Sequence, residues 1–380
     1  MILLGFVLLV AVAIGQHVIL NNGPPRYGID FQVFERASND PVSMVYQKHV
    51  APFAYPPTAL LLMKPLTAMG YWFWMGLSAL AFAISIIMVS GKKIATLSLL
   101  SPAAIKGLVQ GQSAMLLGAI LFFGLRISPL LGGGLWGVAA SVKPQLMLFA
   151  PLALLVRRSW LMLAGMAIGS ALMVLASLIF LDPSLWLRWV EAMGDFNGII
   201  RDGAMTKVVT PAGVAAVAGF PMLPFLIAGL VLGFAAVTFT APKAEGVHLV
   251  ALVTAASLVA SPYAHSYDTI ALIPACVALL LQGRWIYAAP AGIIFMGQSS
   301  STMVAMVFIL VAVSLETHFK FTFDLRGALW TDLRKASVKK VNIRGNLNIA
   351  AHCSTDRRGI DRSYQSGSEL ESAIPVNDNP

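Results

Sequence analysis

Charged side chains are scarce in this chain. Only 11% of its 380 residues are Asp, Glu, Lys or Arg, compared with roughly 25% in a soluble domain, and 58% are hydrophobic. Apolar runs of near-spanning length recur from Met1 to about Ser314, and a helix needs roughly 20 apolar residues to cross a bilayer. One soluble core cannot hide this many runs. The composition therefore predicts an all-α, polytopic integral membrane protein embedded in the lipid bilayer.

Cysteine is also nearly absent. Cys276 and Cys353 are the only two, too few for a disulfide framework or a cysteine-based metal cluster. The chain contains no Walker loop and no His-Glu-x-x-His pair, and we expect no metal and no cofactor. The net charge of +9 does not indicate a nucleic acid partner, because ten of the 26 Lys and Arg lie after residue 319 and most others lie at the ends of apolar runs.

The basic residues between apolar runs predict the topology. Short cytoplasmic loops are enriched in Lys and Arg, and one threading places these residues on the cytoplasmic side: Lys92, Lys93, Arg126, Arg157, Arg158, Lys243 and Arg284. It has about ten to thirteen helices, some short or broken, in a membrane domain over residues 1–315. Two long segments, 21–55 and 182–210, then form external loops. The tail, 316–380, is predicted to be cytoplasmic and mostly disordered.

Asp30 is the leading catalytic candidate. It is a carboxylate in a short polar loop after the first apolar run, and its neighbours are apolar and aromatic. That setting suits the lip of a cavity, where a carboxylate accepts a proton from an attacking sugar hydroxyl. The alternative is a solvated loop residue. In the same stretch, Arg36 is placed to pair with Glu35 or with a phosphate.

Three further residues lie at predicted outer ends of apolar runs. An ionisable group within a membrane is a functional candidate, and the Lys143 ammonium suits a phosphate, although snorkelling to the interface is the alternative. Tyr55 precedes two prolines that favour a helix start. It either lines a pocket or has only a structural role at the start of that helix. Gln112 either contacts a ligand or caps a turn.

The densest polar cluster between late apolar runs covers residues 261–268. His265 in this cluster has the chemistry to donate to a phosphate or to transfer a proton, and a purely structural role is the alternative. Tyr263 and Asp268 are candidates for lining the same pocket.

Four motifs resemble, in the same order, those of glycosyltransferase family 87. The Gly-x-Asp-Phe-x-Val-Phe stretch at 28–34, followed by Pro-Phe-Ala-Tyr-Pro-Pro at 52–57, is similar to the first-loop signature of that family. Further along, the chain has Gly-Gln at 111–112, Ala-Ser-Val-Lys-Pro at 140–144 and Ser-Pro-Tyr-x-His-x-Tyr-Asp at 261–268. The resemblance covers roughly residues 1 to 315.

The resemblance implies a membrane enzyme of the GT-C superfamily. Such an enzyme takes a sugar, commonly mannose, from a polyprenyl-phosphate-linked donor and moves it to a lipid or glycan acceptor. It implies an inverting, metal-independent transfer on the periplasmic face of the inner (plasma) membrane. In that reaction Asp30 has the position of the base, and Lys143 and His265 face the lipid phosphate.

A transporter or flippase of a lipid-linked sugar is the competing function. Such a protein should carry charged groups along a path through the bilayer midplane. In this chain the acids gather at one predicted face, and the apolar runs are nearly free of charge. The charge distribution therefore favours the glycosyltransferase.

Overall fold

The computed structural model describes residues 28–41, 55–201, 208–282 and the single positions 307, 310, 311, 313 and 314; the side chains of 194–201 are not part of the description. Within these residues the secondary structure is helical. It consists of fourteen α-helices, two 3₁₀ turns and one isolated β-bridge. The predicted all-α fold is therefore confirmed. The predicted first helix, the apolar run 286–298, most of the run 301–314 and the tail lie outside the described residues.

The helices follow one another with short connections. In chain order they are α1 (Ile29–Asn39), α2 (Thr58–Thr67), α3 (Tyr71–Ser90), α4 (Lys92–Leu99), α5 (Pro102–Gln110), α6 (Ala114–Gly124), α7 (Pro129–Val142), α8 (Ala150–Val156), α9 (Trp160–Phe180), α10 (Ser184–Arg201), α11 (Pro211–Val217), α12 (Met222–Thr240), α13 (Gly246–Val259) and α14 (Ile273–Leu281). The two 3₁₀ turns are Pro144–Leu146 and Ser266–Leu272.

Three of these helices, α3, α9 and α12, are long and apolar enough to cross a membrane. The pair α5 and α6 passes the same test as one span that is bent by 118°. Large apolar side chains such as Leu80, Leu172 and Val231 are exposed along the three long helices, as expected for surfaces that face lipid. The polytopic, membrane-embedded character is thereby confirmed, with the predicted short and broken helices. The number of crossings stays a prediction.

Two predicted loops are helical. Asp30 does not lie in a loop, because α1 begins one residue earlier and follows Gly28, whose φ of 65° only glycine adopts without strain. Likewise, most of the predicted external loop 182–210 is the helix α10. Sequence reasoning missed both helices because each is short on apolar residues compared with the spans.

Glycine sets the packing of α7 against α9. A Cβ on Gly133 would overlap the carbonyl oxygen of Met162, and one on Gly137 would overlap that of Met166. The contacts advance along both helices together, so α7 and α9 run parallel. Two parallel helices that follow each other in the chain need a connection that runs back from the end of the first to the start of the second. The segment 143–159 is that connection, and Lys143 is its first residue.

We expect Gly133→Ala to destabilise the protein strongly. The added methyl group meets a backbone carbonyl that cannot rotate away, and overpacking of this kind typically costs about 1–3 kcal/mol. The thermal midpoint of the purified protein in detergent measures the loss. Gly76→Ala in α3 is the matched control, since a Cβ there meets nothing within 4 Å. Equal midpoints for the two variants would contradict the close approach of α7 and α9.

Candidate active site

A buried ion pair lies at the centre of the polar residues that the fold brings together. The Lys143 ammonium donates to one carboxylate oxygen of Asp268, and the two side chains are only 3% and 1% exposed. The partners are 125 residues apart in the chain. Removal of either partner would leave an uncompensated buried charge, which is costly. The ion pair therefore stabilises the contact between two segments that are distant in the sequence.

Two tyrosine rings enclose this ammonium group. The Lys143 Nζ atom lies 5.1 Å from the ring centres of both Tyr55 and Tyr267, which is within the range of cation–π attraction. It also donates to the Tyr55 hydroxyl at 3.3 Å. Burial by itself lowers the pKa of Lys143, but the charge of Asp268 and the contact with Tyr55 outweigh burial and raise it. Lys143 therefore stays positively charged.

The backbone explains how Lys143 reaches this position. It directly follows the last residue of α7, and its backbone N–H still donates to the carbonyl of Ala139 at 2.9 Å. Pro144 follows, and a proline disfavours helical geometry in the residue before it. The helix therefore ends where the lysine side chain is needed.

His265 holds Asp268 through a reciprocal cap. The His265 backbone N–H donates to the second carboxylate oxygen of Asp268 at 3.0 Å, and the Asp268 backbone N–H donates to the His265 carbonyl oxygen at 2.9 Å. These two bonds fix the Asp268 carboxylate against the loop that carries His265.

A short segment before α11 supports the loop that carries His265. The backbone N–H of Val209 donates to the carbonyl of Ala264 at 2.8 Å, and the Thr210 hydroxyl donates to the carbonyl of Pro262 at 3.2 Å. These bonds satisfy backbone groups that no helix or sheet pairs, and they hold the loop in place.

Asp30 is positioned by the aromatic residues that follow it. Phe31 packs edge-on against Tyr71 with ring centres 5.6 Å apart, and Phe34 packs edge-on against Tyr55 at 5.3 Å. Both phenylalanines are buried, whereas Asp30 is half-buried at the first turn of α1. The packing of α1 therefore buries the two phenylalanine rings and leaves the Asp30 carboxylate partly accessible.

The charge of Asp30 is felt at the tyrosines around the ion pair. Burial raises the pKa of Tyr55, Lys143 lowers it, and the carboxylates of Asp268 and Asp30 raise it further. Burial also raises the pKa of Tyr267, with contributions from the same two carboxylates. Asp30 therefore lies within electrostatic reach of the two tyrosines that enclose the Lys143 ammonium, although the sequence separates it from Lys143 by more than 100 residues.

The two neighbours of Gln112 contact both parts of the site, Gly111 at Phe31 and Ser113 at Tyr55. The Gln112 backbone N–H donates to the carbonyl of Gly107 at 2.9 Å, which closes the end of α5 over Gly111 in the left-handed region. A Cβ on Gly111 would lie 2.6 Å from that of Phe31. The predicted turn cap is thus made by the Gln112 backbone. Its buried side-chain oxygen has no hydrogen-bond partner among the described residues.

The remaining predicted residues divide into two groups. The Tyr263 hydroxyl is hydrogen-bonded to Gln145, and the charges of Lys143 and Asp268 act on it, so Tyr263 borders the ion pair. Arg36, in contrast, is exposed, and its guanidinium donates to the carbonyl of Gln32 in its own helix at 3.2 Å. The fold does not bring Arg36 to the ion pair.

Sequence reasoning missed three residues that contact the site. Tyr267 covers the Lys143 ammonium, Gln145 bonds Tyr263, and the Ser113 hydroxyl lies 3.5 Å from that of Tyr55. Tyr267 and Ser113 are each next in sequence to a predicted site residue, and Gln145 follows the proline after Lys143. This closeness in sequence was the signal that could have identified them. Across the described part of the chain, no group of three or more His, Cys, Asp or Glu is arranged to bind a metal ion.

One comparison with known proteins gives a match. The family model described as Glycosyltransferase family 87 matches residues 53–262, more than half of the chain. This range includes Tyr55, Gln112 and Lys143 and stops just before His265 and Asp268. No curated protein and no solved structure shows a significant match.

Proposed function

The chain belongs to glycosyltransferase family 87, and from that premise we propose which transfer it performs. The donor is a polyprenyl-phosphate-linked hexose, with mannose as the first candidate, and the acceptor is a hydroxyl of a lipid or glycan. The reaction takes place on the periplasmic face of the inner (plasma) membrane, inverts the anomeric centre and needs no metal.

The electrostatic effect of Asp30 on Tyr55 and Tyr267, the two rings that enclose the Lys143 ammonium, is the observation that supports this reaction best. A half-buried carboxylate can take the proton of the acceptor hydroxyl as that oxygen attacks the anomeric carbon. The bond between the anomeric carbon and the phosphate oxygen breaks on the opposite side, and polyprenyl monophosphate leaves with the bonding electrons. Attack and departure on opposite sides invert the configuration.

Lys143 and His265 are suited to the leaving phosphate. Among the described residues, Asp268 and Tyr55 use two of the three N–H donors of the Lys143 ammonium. The third N–H and the donor nitrogen of His265 stabilise the charge that develops on the phosphate oxygen. The roles of Tyr55, Gln112, Tyr263 and Asp268 are to enclose the reacting groups and to hold them in place.

The two ends of α3 support the assignment of the site to the outer face of the membrane. α3 begins next to the site, where the Tyr71 hydroxyl donates to the carbonyl of Val109, and it ends at Ser90, two residues before Lys92. Lys-rich ends of spans face the cytoplasm, which puts the opposite end, with Asp30, outside. By the same rule, the segment 316–380 is cytoplasmic.

Transport without chemistry is the weaker alternative. A flippase needs polar or charged groups along its path through the membrane. The three long spans α3, α9 and α12 contain no Asp, Glu, Lys or Arg. The charges of the described region lie instead in connections, near helix ends, or within the helices α1, α5 and α10.

A turnover assay tests the proposed transfer. Purified protein in lipid nanodiscs is given a panel of polyprenyl-phosphate sugars together with a crude membrane glycolipid fraction, and mass spectrometry identifies any product. We expect transfer from one donor class, with the product anomer opposite to that of the donor. Binding of the lipid-linked sugar without transfer to any acceptor in the fraction would favour the flippase instead.

We expect His265→Asn to lower kcat/KM by about 100-fold, because removal of one donor to a developing oxyanion typically costs 10²–10³ in rate. Asparagine is a good cap residue, so the turn over 266–272 should be retained and the thermal midpoint nearly unchanged. His248→Asn, at the other end of α13, is the matched control. Equal activity of the two variants would remove His265 from the phosphate role.

A further inference from the structure

Five basic residues gather at the end of the bundle opposite the candidate active site. We call them the cationic cluster: Lys92, Lys93, Arg157, Arg158 and Lys243. All are exposed except Arg157, which is half-buried. They lie in three short segments, the first of which includes the start of α4, and these segments border the spans α3, α9 and α12. Basic residues of this kind mark the cytoplasmic ends of spans.

Two contacts bring the three segments together. The Arg157 guanidinium donates to the carbonyl oxygens of Ala241, at 2.6 Å, and of Ala244, which flank Lys243. A Cβ on Gly246 would lie 3.3 Å from a methyl carbon of Val89. The loop that contains Lys243 is therefore in contact with both of the other cation-bearing segments.

The charges of this cluster are poorly balanced. The three segments, 91–93, 157–159 and 241–245, contain one acid, Glu245. Its carboxylate acts on Arg157, where burial lowers the guanidinium pKa and Glu245 raises it. Five cations against one carboxylate leave an excess of four positive charges on a small surface, which attracts anions from solution or from the membrane.

Large apolar side chains surround the cluster on its membrane side. Met88 near the end of α3, Leu161 at the start of α9 and Phe239 near the end of α12 are all exposed, the last at 69%. Each lies within about one helical turn of a residue of the cluster. A ligand that fills this surface therefore needs an anionic group beside apolar chains.

We propose that the cationic cluster is a binding site for an anionic phospholipid of the cytoplasmic leaflet. The phosphate contacts the ammonium and guanidinium groups, and the acyl chains lie along the apolar side chains of α3, α9 and α12. A free phosphate would use only the first half of this surface, so the exposed apolar residues favour a lipid. This inference concerns the opposite end of the molecule and does not depend on the proposed transfer reaction.

The test compares lipids on purified protein in a neutral detergent. Phosphatidylglycerol, phosphatidylcholine with the same chains, and inorganic phosphate are titrated separately, with the thermal midpoint and native mass spectrometry as readouts. We expect phosphatidylglycerol to bind and to raise the midpoint, and we expect added salt to weaken it. Each basic residue near an anionic lipid contributes about 1 kcal/mol, so Lys92→Gln/Lys243→Gln should bind phosphatidylglycerol about 30-fold more weakly.

The matched control is Lys64→Gln/Arg188→Gln, which removes two exposed cations outside the cluster and should leave the affinity unchanged. Equal weakening in both double variants would overturn the proposal, since diffuse charge would then explain the binding. Equal effects of phosphatidylcholine would overturn it too, and so would an equal effect of inorganic phosphate. If the first double variant is poorly folded without lipid, Lys93→Gln/Arg158→Gln replaces it with the same expectation.

Discussion

Asp30→Asn is expected to lower turnover by at least about 100-fold, because a positioned general base contributes typically 10²–10⁴ in rate. The substitution is nearly isosteric, and the helix around it is fixed by the burial of Phe31 and Phe34 rather than by the carboxylate. The asparagine side chain cannot take the proton of the acceptor hydroxyl. We therefore expect kcat to fall while the binding of the donor changes little.

Glu35→Gln provides the matched control for this experiment. Glu35 lies on the same helix, is exposed, and undergoes the same loss of charge. Initial rates with the preferred donor from the turnover assay, at varied acceptor concentration, separate kcat from KM. A Glu35→Gln variant with wild-type rates and an Asp30→Asn variant without measurable turnover would support the role of base. Turnover retained in Asp30→Asn would assign the proton to another group.

Separate substitutions of Lys143 and Asp268 are expected to have the largest effects on stability. Breaking a buried ion pair by the removal of one partner costs about 3–5 kcal/mol, because the remaining charge is buried without compensation. We expect Lys143→Met and Asp268→Leu each to lower the thermal midpoint sharply. For Lys143→Met, the remaining carboxylate keeps the backbone N–H of His265 as a partner, so its loss should be the smaller of the two.

The double variant Lys143→Met/Asp268→Leu distinguishes a structural role from a catalytic one. Apolar residues of similar volume often replace a buried ion pair without loss of stability. We therefore expect the double variant to regain much of the lost midpoint but none of the lost transfer activity. Recovery of activity together with stability would mean that Lys143 serves the fold alone and has no role toward the phosphate.

Several parts of the structure were predictable because they depend on local chemistry. The scarcity of charge and the repeated apolar runs predict membrane helices, since a backbone in lipid must satisfy its own hydrogen bonds. The break between α2 and α3 was predictable from Met69-Gly70, and Gly70 indeed has a positive φ of 86°. The polar residues that follow apolar runs, such as Lys143 and His265, were visible as candidates for the same reason.

The partners of these residues were not predictable in the same way. The pair of Lys143 and Asp268 joins segments that are 125 residues apart, and no periodicity or spacing in the sequence relates them. The exposed position of Arg36 follows from how α1 packs, since Phe31 and Phe34 decide which face of that helix is buried. A basic residue beside a catalytic candidate was therefore not sufficient to predict a pocket.

The sequence by itself determined that this protein is helical and embedded in a membrane, and its motifs indicated the family. These properties follow from composition and from short segments, because hydrophobic burial and backbone hydrogen bonding in lipid act locally along the chain. Only the tertiary structure decided that Lys143 is enclosed by Asp268, Tyr55 and Tyr267 rather than extended to the interface. That choice depends on the balance between desolvation and ion pairing, which exists only once distant helices have packed.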